Sequence, residues 1–204
     1  MGRLFSMDGK LSNVMGKIAD LVLLNILWLL CCIPIVTIGA STTALYYVML
    51  KMVKNEEAYV CSSFFHSFKE NFKQSTFIWA ITLLIGTILY FDVYFISHVQ
   101  TGASKIMFVL FLLVGILLLM MTSYVFPILA FFKNSTKGAV KNALLMAVGH
   151  LPYTVVIVVA GMLPVLILFA GNLLAALFID IIIGVSLAAW INAHIFSKLF
   201  EWYM

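Results

Sequence analysis

The chain has 204 residues, of which 64% are hydrophobic and 10% are charged, and its net charge is +4. Soluble domains carry about 25% charged residues, so this composition excludes a water-soluble protein and predicts a single integral membrane domain over residues 1–204. The excess of Lys and Arg is typical of cytoplasmic loops of membrane proteins, and we expect the lipid bilayer rather than nucleic acid as its partner.

The chain begins with a segment that we expect on the inner membrane surface. Residues 1–17 carry Arg3, Lys10 and Lys17, and apolar residues recur among them at helical spacing. A basic amphipathic helix of this kind lies in the membrane interface instead of crossing it.

The apolar run 18–53 is interrupted near its middle by Pro34 and Gly39. Proline removes a backbone donor and disfavours helix at the preceding residue, and glycine readily adopts turn conformations. The run is therefore one long span or two short helices joined by a turn, each near the lower length limit for a core of about 30 Å. A re-entrant segment is a third possibility.

Four further apolar runs are long enough to cross a membrane. Amphipathic segments at 63–75 and 135–150 precede two of them and are expected in the cytoplasmic interface. Gly171 and Asn172 predict a tight turn between the last two spans. The four spans are predicted at 76–98, 106–132, 151–171 and 173–196.

The basic residues favour a hairpin over 18–53. With six spans, 11 of the 12 basic residues lie on one side, and only Lys105 lies on the other. With a single span over 18–53, the better orientation divides them 8 to 4. Because basic residues collect in the cytoplasm, we predict an all-α polytopic transmembrane bundle of about six spans with both termini cytoplasmic. Its first two spans are short and joined by a Pro/Gly turn near the outer face, and amphipathic interfacial helices accompany it.

Two acidic residues lie within predicted spans. Asp180 is about eight residues into the last span, where an ionised acid is costly. It is either a proton or cation site, or a neutral acid hydrogen-bonded to a neighbouring helix. Asp92 lies near the outer end of its span, where it lines an outer vestibule with His98 or contacts water and headgroups.

A second candidate site is a polar cluster in the predicted hairpin that contains Asn25, Thr37 and Thr42. Interrupted membrane helices expose backbone groups that can bind a ligand. Polar residues of this kind also hold helices together, so both interpretations stay open.

The segment 63–75 has an aromatic face that could dock on a partner or on the membrane surface. Its helical spacing places the phenylalanines on one side and the charged residues on the other. The candidate surface consists of Phe64, Phe65, Phe68 and Phe72 with Lys69 and Lys73.

The sequence contains no motif that predicts catalysis, a cofactor or a metal. Its three cysteines lack metal-ligand spacing and are expected to be small buried residues. We therefore do not expect an enzyme.

Residues 17–76 resemble the YesL family of bacterial membrane proteins. The similar elements are Asn25 with Trp28, the turn over 34–39, the Ala44-Leu45-Tyr46 start of the second helix, and Phe64-Phe65 with Phe72-Lys73. The resemblance implies a bacterial plasma-membrane protein of unknown biochemical function, whose relatives are often encoded beside carbohydrate ABC transporters and sensor kinases.

Two functions follow as hypotheses. The first is an accessory or regulatory membrane component associated with carbohydrate uptake, with a carbohydrate ABC transporter or a sensor kinase as its partner. The second is a small self-contained transporter or channel that uses the broken hairpin and Asp180. A homo-oligomer is compatible with either one.

Overall fold

The computed structural model describes residues 10–56, 59–98, 102–169 and 173–203, and these residues form helices and turns without any strand. The predicted all-α membrane fold is confirmed. Five helical stretches of the described residues are long and apolar enough to cross a membrane, or six if one strongly bent pair counts as one span. Residues 1–9 and the turn predicted at Gly171 and Asn172 lie outside the described residues.

Nine α-helices are described, with a 3₁₀ turn after the first and a π-helical segment before the last. Their bounds are α1 Lys10–Cys32, α2 Ile38–Val53, α3 Val60–Ser97, α4 Gly102–Phe131, α5 Thr136–Gly149, α6 Leu151–Gly161, α7 Leu163–Phe169, α8 Leu173–Ile179 and α9 Val185–Glu201, with the 3₁₀ turn at Ile35–Thr37 and the π-helix at Asp180–Gly184.

The predicted break at Pro34 separates α1 from α2. Pro34 is extended, with φ −77° and ψ 115°, and the backbone N–H of Thr37 donates to its carbonyl at 2.9 Å. An interior proline would cost a hydrogen bond and clash with the preceding turn. The first apolar run is therefore two helices joined by a turn, as the sequence predicts.

Helix α2 forms the centre of the bundle, where it packs against α1, α3, α4 and α9. Ala40, Leu45 and Leu50 are all buried, although at about 100° per residue they point in different directions around the helix. A helix that is apolar all round belongs inside a bundle. The core of the protein is thus built around one of the two short predicted spans.

Helix α3 is one uninterrupted helix of 38 residues. We predicted an interfacial helix at 63–75 followed by a separate span at 76–98, and this division is wrong. No proline or glycine interrupts 60–85, and the first half of α3 is held along α2 by buried residues such as Phe64 and Ile78. At 1.5 Å per residue the helix is about 57 Å long.

The α1–α2 turn lies beside the middle of α3. The indole N–H of Trp79 donates to the carbonyl of Ile35 at 2.8 Å, and α3 continues for 18 residues beyond Trp79. We expected this turn near the outer face, level with the far end of α3. Residues 80–97 of α3 and 104–119 of α4 instead project beyond it as a two-helix unit, here called the arm.

Helices α5 and α6 meet at an angle of 107°. Ser135 caps α5 by accepting a hydrogen bond from the N–H of Gly138 at 3.2 Å. Pro152 lies in the first turn of α6, where its missing donor has no cost, and it disfavours continuation of α5 through Leu151. The predicted division between an amphipathic segment and a span occurs here.

Candidate functional site

Asn25 of α1 is inserted into the last membrane helix. Its side chain is completely buried, and its Nδ2 donates to the carbonyls of Asp180 at 2.9 Å and Ile181 at 2.8 Å. Its Oδ1 accepts the backbone N–H of Ser186 at 2.9 Å. All three polar contacts of this amide therefore join α1 to a single turn of the helix that follows α8.

This contact explains the π-helical turn at Asp180–Gly184. In a π-helix the N–H of residue 186 would bond the carbonyl of residue 181. Here the Asn25 amide lies between these two groups, accepting from Ser186 and donating to Ile181. A polar side chain inserted into the backbone ladder is a known cause of local helix distortion.

The carboxyl group of Asp180 lies at the same turn. Both of its oxygens are buried, and neither has a hydrogen-bond partner among the described residues. A Cβ added at Gly184 would collide with this carboxyl, so Gly184 provides the space that it occupies. Because an unpaired charge in an apolar surrounding is costly, this group is suited to hold a proton or to bind a cation.

The predicted hairpin hydroxyls act within the α1–α2 turn. Thr37 Oγ1 donates to the carbonyls of Cys31 at 2.5 Å and Pro34 at 2.7 Å. Thr42 Oγ1 accepts the indole N–H of Trp28 at 3.2 Å. These bonds satisfy groups at the break and join the two helices, whereas Asn25 bonds the last helix. The predicted cluster is therefore divided between two places.

Asp92 is half-buried on the arm, away from the α1–α2 turn. His98, which we predicted to line an outer vestibule with Asp92, bonds within its own end of α3. Its Nδ1 contacts the carbonyl of Tyr94 at 2.8 Å and the hydroxyl of Ser97 at 3.2 Å. An outer vestibule around Asp92 stays a prediction.

The aromatic face of α3 is partly inside the core. Phe64 is completely buried, so it is not available to a partner, contrary to our expectation for the whole face. Phe68 is half-buried and packs against the core, while Phe65 and Phe72 are exposed. A docking role stays a prediction for the remaining residues, which include the exposed Lys69 and Lys73.

Sequence reasoning missed two further polar contacts. Tyr124 and Thr154 share a buried hydrogen bond of 2.8 Å between α4 and α6. Asn192 of α9 donates to the carbonyl of Ile157 at 3.2 Å, while its Oδ1 is buried without a partner among the described residues. The sequence does show these polar residues within apolar runs, but it does not identify the residues that they bond.

Among the described residues, no group of three or more His, Cys, Asp or Glu side chains could hold a metal ion. Ion pairs of the described residues occur at the polar end of α3, where Glu70 lies 3.9 Å from Lys133 and 3.5 Å from His66. The expectation of no metal and no cofactor stays a prediction.

The first part of the chain is similar to a known family. Residues 21–93 match the family described as "Protein of unknown function, DUF624". This range contains Asn25, the α1–α2 turn and most of α3, whereas Asp180 lies beyond it. The match agrees with the unknown function implied by the resemblance noted above, and the YesL name stays a prediction.

The chain is also similar to the "Uncharacterized protein YteU" of Bacillus subtilis, with 33% identity over 136 residues. The aligned part covers 64% of this chain and 60% of the relative, so the chain spans about three fifths of that protein. No solved structure matches. The long apolar helices describe a membrane protein, and the proteins that it resembles are described as uncharacterised or of unknown function.

Proposed function

We propose that this chain is an accessory or regulatory membrane component that binds a transmembrane helix of a partner complex. The observation that carries the proposal is a groove between α3 and α4 that begins at the base of the arm and continues along it, here called the α3–α4 groove. Its volume is about 580 Å³, and it is lined among others by Thr82 and Gly86 of α3 and by Gly115 and Thr122 of α4.

Small residues in this groove favour a close approach by another helix. A Cβ added at Gly86 or at Gly115 would meet no atom of this chain within 4 Å. Both glycines therefore face open space, although glycine is an unfavourable residue inside a helix. Helices associate in membranes through such small residues, because lipid tails are as apolar as leucine and the fit between backbones has to supply the attraction.

The interior of the bundle supports an accessory role more than a transport path. Its buried hydroxyls mostly bond each other or the backbone, as in the pair Thr43 and Ser75 at 2.9 Å and the pair Tyr124 and Thr154. Polar groups used in this way hold helices together and are not free to coordinate a substrate.

The partner class is proposed from the YesL resemblance. It suggests a carbohydrate ABC transporter or a sensor kinase, and therefore a role in carbohydrate uptake. We also propose that the chain is not an enzyme and that it lies in a bacterial plasma membrane with both termini cytoplasmic. The distribution of its basic residues supports this orientation.

A pull-down from native membranes tests the proposal. The chain carries a C-terminal tag, is extracted in mild detergent, and is compared with Gly86→Leu and Gly115→Leu. We expect a partner at fixed stoichiometry with the native chain and a strong loss with either variant, since leucine fills the groove. The matched control is Gly16→Leu on α1, where an added Cβ also meets no atom within 4 Å.

The outcomes separate the alternatives. A partner that is retained by both groove variants would show that the α3–α4 groove is not the docking site. If only copies of this chain co-purify and the groove variants separate them, the groove is a homo-oligomer interface. A chain that purifies alone would overturn the accessory role.

Asp180 favours a second candidate, the small self-contained transporter or channel. Its carboxyl is buried at a distorted helical turn and has no hydrogen-bond partner in the described part of the chain. It is the kind of group that moves protons or cations in membranes. The purified chain in liposomes would then carry an ion or sugar flux, and Asp180→Asn would abolish it. Flux unchanged by Asp180→Asn would exclude this carboxyl from transport.

A further inference from the structure

A second groove, here called the α3–α5 groove, lies between α3 and α5 and has α4 as its floor. Its volume is about 630 Å³. Its surface is almost entirely apolar and includes Phe77, Ile81 and Ile85 of α3, Leu118 and Met121 of α4, and Leu144 of α5. Residues 77 and 85 are eight positions apart, so this wall of the groove is about 12 Å long.

Two lysines from the first half of α5 also line this groove. Lys137 and Lys141 are both exposed, and they lie one helical turn apart on the same face. Like charges at this spacing repel each other. Neither lysine forms an ion pair in the described part of the chain, where the paired carboxylate belongs to Glu70.

The groove lies at the boundary between polar and apolar surface. The Gln74 side-chain N–H donates to the carbonyl of Asn134 at 2.9 Å. This bond joins the segment before α5 to α3, three residues before Phe77. The exposed residues of α3 before this point include Lys69, Glu70 and Lys73, whereas those after it are mainly apolar. This change is expected where a helix enters the membrane. A lysine near this boundary can lay its apolar stem along the groove and keep its ammonium group in the polar region.

We propose that the α3–α5 groove binds an anionic phospholipid, with its phosphate between Lys137 and Lys141 and an acyl chain along Phe77, Ile81 and Ile85. The anionic headgroup removes the repulsion between the two lysines, and the acyl chain covers the apolar walls. A partner helix in the same groove would have to bury both lysine charges, which is costly. A zwitterionic lipid fills the walls equally well but brings no net charge to the lysines.

Lipid binding by the purified full chain tests this assignment. Native mass spectrometry compares phosphatidylglycerol with phosphatidylcholine of the same acyl chains, and glycerol phosphate serves as a headgroup without chains. We expect about tenfold tighter binding of phosphatidylglycerol, because each lysine near an anionic lipid favours it severalfold. Lys137→Gln with Lys141→Gln should remove this preference, whereas Lys133→Gln, at an exposed lysine outside the groove, should keep it.

A second variant tests the apolar half of the site. Leu118→Trp fills the floor of the groove and should weaken the binding of both lipids while the lysines stay in place. Equal binding of the two lipids by the native chain would overturn the proposal, and so would a preference that survives the double lysine variant. Binding of glycerol phosphate as tight as that of the lipid would show a phosphate site without a lipid groove and would also overturn it.

Discussion

At the scale of single residues, buried polar side chains connect helices of the bundle. In lipid the hydrophobic effect does not drive helices together, so such contacts matter for their association. Asn25 joins α1 to the last membrane helix, Thr43 joins α2 to Ser75 of α3, and Tyr124 joins α4 to Thr154 of α6. In lipid such contacts contribute about 0.5–2 kcal/mol each. Asn25 is distinctive because it satisfies three backbone groups at once.

Replacing Asn25 by alanine tests this role. The variant leaves two carbonyls and one backbone N–H of the distorted turn without their partner, in a place where water does not substitute. We expect the free energy of unfolding in detergent to fall by about 2 kcal/mol.

The matched control for this measurement is Asn142→Ala. Asn142 is exposed on α5, so its loss should leave the unfolding transition almost unchanged. Equal unfolding midpoints for the two variants would contradict a structural role for the Asn25 amide.

At the scale of elements, the core depends on a close approach between α2 and α3. A Cβ added at Gly39 would lie 2.6 Å from the carbonyl oxygen of Ser75 and 2.7 Å from Cβ of Trp79. The first of these is backbone and cannot rotate away. Glycine at this position therefore sets the distance between the two helices, and with it the position of the α1–α2 turn against the middle of α3.

We expect Gly39→Ala to destabilise the protein by about 1–3 kcal/mol, because the two helices must separate to accept the methyl group. Gly115→Ala on the arm is the control, since its Cβ would meet no atom within 4 Å. That change should be neutral or slightly stabilising, by up to about 1 kcal/mol, because alanine favours the helix. Thermal unfolding measures the stability of both variants. A Gly39→Ala protein as stable as the control would refute the close contact.

At the scale of the whole molecule, the charged and apolar surfaces separate along α3. The first half of α3 exposes Lys69, Glu70 and Lys73, whereas the arm carries only Asp92 and Lys105 as charged residues. The α1–α2 turn lies beside Trp79, in the middle of α3. We therefore predict that the α1–α2 hairpin enters the membrane without reaching the side at which α3 ends.

Cysteine labelling tests this depth. The native Cys31, Cys32 and Cys61 are replaced by alanine, and single cysteines are introduced as Val36→Cys in the turn, Glu56→Cys before α3 and His98→Cys after it. We expect water-soluble thiol reagents to label the last two positions from opposite sides of the membrane. The turn position should react poorly from the side of residue 98, because the arm extends 18 residues beyond the level of the turn.

The two end positions serve as controls for the integrity of the membrane and for the orientation of the chain. Labelling of Val36→Cys as complete as that of His98→Cys, from the same side, would show a full crossing. It would support the topology that the basic residues favour, with six spans of which the first two form a complete hairpin.

Local features of the sequence predicted the parts of this fold that depend on local chemistry. Pro34 ends α1 because of its own ring and missing donor, and Pro152 begins α6 for the same reason. The apolar runs form helices because no other structure satisfies their backbone in lipid. The division of α3 at residue 76 was wrong, since a change from polar to apolar side chains does not interrupt a backbone that has no breaker.

The class of the protein was determined by the sequence itself, since composition and hydropathy sum over residues and need no knowledge of contacts. They require a helical membrane protein. Only the tertiary structure decided that Asn25 enters the last helix, that Phe64 is buried and that the turn lies beside Trp79. Lipid and protein core are equally apolar, so the pattern of an apolar helix does not indicate which of its faces meets another helix and which meets the membrane.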